Sequence, residues 1–191
     1  MSDVQIDNES VKVAASLAPA DAEQEKESSS PSGELVVYRA TKPEEIVNIR
    51  GIAHEFHAES RYAHLQFSEE KLTRAFSRAI NNPSNTLSIY IQCDGETVGI
   101  VQAAAGDYYL GIGGRIVSVL NLYVSRRIRG TYLGGKVGVK LLRVVSEWAG
   151  TQRAEEIHIH STSGIDPLRT DKLLTRMGFE VIGGNYMARL G

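Results

Sequence analysis

The stretch that most constrains this chain is residues 116–142, "IVSVLNLYVSRRIRGTYLGGKVGVKLL". Its first nine residues, rich in β-branched and aromatic side chains, read as a strand. Its end reads as the start of a helix over about 136–152, with Val137, Leu141, Val144, Val145 and Trp148 on one face. Between them lies a turn dense in arginine and glycine. A helix that opens directly out of such a turn offers unsatisfied N–H groups and the positive end of its dipole to an anion. Glycines let the backbone approach that anion without a Cβ in the way. Arg126, Arg127, Arg129 and Lys136 can add charge-assisted hydrogen bonds. The turn therefore reads as a phosphate cradle.

Two nucleotide readings of the turn fail. Gly130, Gly135 and Lys136 satisfy all of GxxxxGK[ST] except its last position, where Val137 replaces the hydroxyl that binds magnesium. In addition, "SRRIR" separates the strand from Gly130, whereas a P-loop follows its strand directly, and the preceding hairpin makes the sheet antiparallel there. A dinucleotide fold fails because "GIGG" (111–114) precedes a strand instead of following one, and no βαβ repeat comes before it.

The elements around the turn predict one mixed α/β domain over 34–191. "ELVVYRA" (34–40) is a strand, and Ile46, Ile49, Ala53 and Phe56 mark a helix from after Pro43 to about Glu59. A second helix spans 68–80 with Ser68 as its N-cap. "TLSIYIQ" and "TVGIVQA" flank Asp94-Gly95, a strong hairpin signal. "EIHIHS" (156–161) is a strand with His158 and His160 on one side. A helix carrying Leu173, Leu174 and Met177 stops at Gly178, and "FEVIGG" with "YMARL" closes the domain as a strand pair or one bent strand. The predicted order is β-α-α-β-β-β-α-β-α-β, with a central sheet that is antiparallel until a βαβ unit near the C-terminus.

Charge is unevenly spread. Residues 1–33 hold seven acids against two lysines and no aromatic residue, which predicts a disordered acidic tail or an arm that orders on a partner. The rest holds 16 acids against 19 Lys and Arg. That mild excess suits a small anionic ligand and falls short of a dedicated nucleic-acid binder. The one cysteine, Cys93, excludes a disulfide framework or a thiolate zinc site and is expected to be a buried strand residue. His54 and His57 lie three apart on a helix without a third ligand, so no metal is expected. With no apolar run of spanning length and no signal-peptide pattern, the expectation is a soluble cytoplasmic protein.

From Leu120 to Leu142 the chain resembles the acetyl-CoA-binding core of the GNAT N-acetyltransferases: a strand, an Arg/Gln-x-x-Gly-x-Gly/Ala turn, then a helix opening with small residues and a Leu-Leu pair. The element order from 34 to 191 and "LLTRMGFEVIGG" also fit that family. The resemblance implies a GNAT fold and acetyl transfer from acetyl-CoA to a primary amine on a small molecule or peptide. It implies that the backbone of Leu122, Tyr123 and Val124 pairs with pantetheine. Arg129 and Gly130 would be the motif arginine and glycine, Thr131–Gly134 an insertion, and Gly134, Gly135, Lys136, Val137 and Gly138 the phosphate rest. Candidates to handle the amine proton are Glu59, at the end of the first helix, and His160, an imidazole on a strand face; Asn121 could hold a water. The tyrosine that protonates the leaving thiolate in many members is Leu174 here. "FHAES" and "FSEEKL" resemble short phage-encoded members, which would imply a host-cytoplasm or virion setting and a catalytically weak assembly protein as the rival reading. The tail would then be the contact to a virion partner or a second copy.

Overall fold

The computed structural model describes residues 33–184. The predicted tail lies outside these residues except for Gly33. Five strands form one sheet in chain order: β1 (Leu35–Arg39), β2 (Thr86–Cys93), β3 (Glu96–Asp107), β4 (Arg115–Val124) and β5 (Glu156–Ile159). The first three junctions are antiparallel and β4–β5 is parallel. The helices are α1 (Ile46–Glu59), α2 (Glu69–Asn81), α3 (Tyr132–Thr151) and α4 (Pro167–Arg176).

Local chemistry accounts for most boundaries. At the β2–β3 hairpin, Asp94 (φ 53°) and Gly95 (φ 79°) both take left-handed angles, the conformation a two-residue turn of matching twist demands. The Ser68 hydroxyl accepts from the Lys71 N–H and starts α2. Arg50 and His54 of α1 hold Glu69 in the first turn of α2.

Two apolar layers flank the sheet. On one face α3 buries Val137, Leu141 and Val145 against Val101 and Val117. This approach is close: a Cβ on Gly99 would lie 2.5 Å from the Val137 Cγ1. On the other face, Ile49 and Ile52 of α1 and Phe76 of α2 pack on Tyr90, Ile100 and Tyr123. Cys93 is buried, as expected; burial and the neighbouring Asp94 push its thiol pKa up.

The observed architecture departs from the expected one in three places. First, α3 begins at Tyr132, four residues earlier than periodicity suggests, because Thr131 caps it: the Thr131 Oγ1 accepts from the Gly134 N–H at 3.2 Å. Thr131–Gly134 is thus the cap and first turn of the helix, not an insertion before it. Second, β5 ends at Ile159, so His160 and Ser161 lie beyond it. Third, "FEVIGG" forms no strand, and "YMARL" falls outside the described residues.

Candidate functional site

The site is organised by an irregularity in β4. Gln102 of β3 pairs with Asn121, whereas the next residue, Ala103, pairs with Val119, so Leu120 is an extra residue bulged from the ladder. The bulge re-phases the strand. Before it, Val117 and Val119 face α3; after it, Leu122 and Val124 do, and Asn121 and Tyr123 turn toward α1. The parallel pairing with β5 stops at Val119↔Ile159. Beyond that point the two strands part, and the edge of Leu120–Val124 that faces away from β3 has no strand partner among the described residues. Its outward N–H and C=O groups line a cleft of about 1070 Å³ that runs from the α1–α2 wall to the start of α3 and the face of α4.

The turn after β4 is built from within. Ser125 is buried; its N–H donates to the Val98 carbonyl, and its own carbonyl accepts from the N–H groups of Ile128 and Arg129. The Glu55 carboxylate accepts from the Ser125 Oγ and the Arg126 N–H. Arg129 donates to the Val124 carbonyl and, through Nη2, to Glu59 at 2.5 Å. Its guanidinium also lies over the Tyr123 ring, whose hydroxyl bonds both Glu55 and Glu59. Burial alone would push the Glu59 carboxyl up. The hydrogen bonds from Tyr123 and Arg129, with the charges of Arg129 and Arg126, outweigh it and hold Glu59 below the usual carboxylate range. Burial and the same two glutamates push the Tyr123 hydroxyl pKa well up, so it stays protonated as a donor.

The result is a rigid platform for the start of α3. Gly130 has φ +94°, and Ile128 drops into the core. The Thr131 N–H is used by Ile128 O and the Gly134 N–H by the cap, which leaves the N–H groups of Tyr132 and Leu133 without an intrahelical acceptor. Gly134 must be glycine, since a Cβ there would collide with the Ile128 carbonyl. Gly135 has nothing within 4 Å of a Cβ and opens onto the cleft. Gly138 lets Leu173 of α4 approach, at 3.0 Å from a built Cβ.

Of the expected site residues, Asn121, Leu122, Tyr123, Val124, Arg129, Gly130, Gly134, Gly135, Gly138 and His160 all border the cleft. Three do not. Val137 is wholly buried under the sheet, Lys136 is drawn over the Tyr132 ring at 4.6 Å, and Glu59 is held by Arg129 and Tyr123. The arginines of the turn are engaged by the protein's own carboxylates: Arg126 and Arg129, the latter at the cleft border, pair with Glu59, and Arg127 with Glu96. Beside Arg129, the α4 cations Arg169, Lys172 and Arg176 also line the cleft. The Arg169 Nη1 would touch a Cβ on Gly130, and its Nε is held by Asp166 at 3.1 Å. Sequence reasoning passes over these three. Their i, i+3, i+7 spacing on one helix face is the available signal.

Asn121 donates to Gln102 at 3.0 Å, on the α1 side of the sheet. His158 pairs with Glu156, while His160, past the strand end, borders the cleft. Leu174 is not part of the lining, nor is Tyr132, a tyrosine of the turn that is 81% exposed. His57 bonds the Leu65 carbonyl and His54 pairs with Glu69.

No family model matches this chain, and no curated protein does. Solved structures match in shape. An aminoglycoside N-acetyltransferase, AAC(6')-Iy in complex with CoA, superimposes with a TM-score of 0.63 at 16% identity, over 83% of this chain and 96% of that one. The ribosomal-protein-alanine N-acetyltransferase from Brucella melitensis biovar Abortus 2308 gives 0.59 at 14%, over 83% and 100%. Glucosamine-6-phosphate N-acetyltransferase from Arabidopsis thaliana gives 0.56 at 15%, over 82% and 98%. These are GNAT acetyltransferases, and the fold of this chain is theirs. The resemblance to phage-encoded members gains no support from these neighbours. No helix among the described residues is long and apolar enough to cross a membrane.

Proposed function

We propose that this chain is an N-acetyltransferase that moves the acetyl group of acetyl-CoA to a primary amine by direct attack. The observation that carries the reading is the parting of β4 from β5 after Val119. It exposes a strand edge of backbone donors and acceptors at the mouth of a cleft that leads to the open N–H groups of α3. Pantetheine has two amides in an extended chain, and a free strand edge is the surface that pairs with them. The pyrophosphate then meets the Tyr132 and Leu133 N–H groups, with room left by Gly135 and charge from Arg169, Lys172 and Arg176.

In this reading the amine nitrogen attacks the thioester carbonyl carbon. An N–H of the β4 edge near Leu122 holds the oxyanion, and the carbon–sulfur bond breaks to release thiolate. His160 takes the amine proton, directly or through a water, because it is the imidazole at the cleft beyond β5. Asn121, fixed by Gln102, orients that water. Glu59 serves the scaffold instead, positioning Arg129 and, through it, the Val124 carbonyl. With leucine at 174, solvent protonates the thiolate.

Calorimetry of the full chain with acetyl-CoA tests the reading. Micromolar binding is expected, and Gly135→Phe, which fills the cleft where nothing now stands, should abolish it without lowering the melting temperature. No heat at millimolar acetyl-CoA would favour the rival, an assembly or virion protein acting through residues 1–33.

A further inference from the structure

The proposal here rests on the acetyltransferase reading and concerns the acceptor. From the charge of the cleft we infer that the acceptor is an amine on an apolar, aromatic-sized body, and that a polycation such as an aminoglycoside or a polyamine is rejected. A site that recognises several ammonium groups needs carboxylates facing the ligand. Asp166 is the one carboxylate among the described residues that line the cleft, and Arg169 already holds it.

The acids that the α1–α2 wall does carry are all turned elsewhere. Glu55 and Glu59 serve the turn after β4, through Ser125, Tyr123 and Arg129. Glu69 is held by Arg50 and His54, and Glu70 by Arg74. The wall's lining is rich in apolar side chains, Phe56, Leu65, Phe67 and Leu72, in the same cleft as Ile100 and Ile165, with uncharged polar members such as Gln66 and Ser68. Phe56 packs at a tilt against Tyr123 with centroids 5.1 Å apart, and Phe67 lies against the His54 and His57 rings at 3.9 and 5.4 Å. The one charged side chain among the wall's lining residues is Lys71, which has no carboxylate partner among the described residues. An apolar amine gains from burying its body there, whereas each extra ammonium group would lose water and meet Lys71 with no counter-charge.

The test separates this proposal from the reading beneath it. Acetyl-CoA binding is measured first by calorimetry; 2-phenylethylamine, spermidine and kanamycin are then compared as acceptors by thiol release and, on the CoA-loaded protein, by calorimetry. The expected result is that 2-phenylethylamine exceeds both polycations by about tenfold or more in kcat/KM, or in affinity if turnover is slow. Lys71→Glu, an exposed position whose folded role is confined to charge, should narrow that ratio. Binding of acetyl-CoA with equal or better use of spermidine or kanamycin, or with no response to 2-phenylethylamine, overturns the acceptor class and leaves the reading standing. Failure of acetyl-CoA to bind overturns the reading. The same amine titrations on the free protein then decide the pocket by themselves, with tighter spermidine binding counting against it.

Discussion

Two regions of this chain are rich in cations, and they are used in opposite ways. The turn at 126–129 looks in sequence like the anion site, with three arginines in four residues. In the fold each of them meets a carboxylate of the protein itself, and Arg129 is only 18% exposed. The face of α4 looks unremarkable in sequence, yet Arg169, Lys172 and Arg176 border the cleft, and among the described residues only Arg169 of the three has a carboxylate partner. The first set fixes where α3 starts, and the second is available to a ligand. A run of positive charge reveals an anion site only after its internal partners are subtracted.

This contrast can be broken by substitution. The largest effect is expected for Arg129→Ala, which takes from Glu59 its closest cationic partner and frees the Val124 carbonyl; it should cost about 3 kcal/mol in a denaturant titration. Gly134→Ala should cost a comparable amount, about 2–3 kcal/mol, because the methyl meets the Ile128 backbone, which has no room to yield. Its neighbour sharpens the point: Gly135→Ala has open space and should stabilise the helix by roughly 0.5–1 kcal/mol. On α4, the double change Lys172→Ala with Arg176→Ala should leave stability within about 0.5 kcal/mol. Acetyl-CoA affinity should fall about tenfold in that variant, as expected on losing charge-assisted contacts. If instead it melts early and binds normally, the roles of the two regions are reversed.

The smallest effect is a pH dependence. Glu59 is held below the ordinary carboxylate range, so its contribution is present above the unfolded value of about 4.3 and is lost as pH falls through the folded one. The native protein should therefore lose stability on acidification below about pH 5 more steeply than Glu59→Gln does, measured by melting temperature across pH. Parallel curves for the two proteins would contradict the ion-pair account.

Features written in a few adjacent residues are legible in the sequence. Asp94-Gly95 specifies its hairpin by backbone angle, and Ser68 starts α2 by a side-chain cap. The start of α3 is harder to place because two successive glycines depress helix propensity there, while the cap that overrides them comes from Thr131 and its fit from the Ile128 carbonyl. The bulge at Leu120 has no compositional mark: no glycine or proline interrupts the strand, and only pairing with β3 reveals the slip. The same holds for Glu59. Its position at the end of α1 is plain, but its engagement with Arg129, 70 residues away, decides that it serves as a support.

The central claim is that backbone groups, not the arginines of the turn, receive the coenzyme. Amide chemical-shift mapping of the nitrogen-15-labelled chain during an acetyl-CoA titration tests it most directly. The account predicts the largest shifts at Tyr132, Leu133 and alternate residues of Leu120–Val124, with Arg126 and Arg127 little affected. Shifts that centre on Arg126–Arg129 and leave the β4 edge unmoved would contradict it.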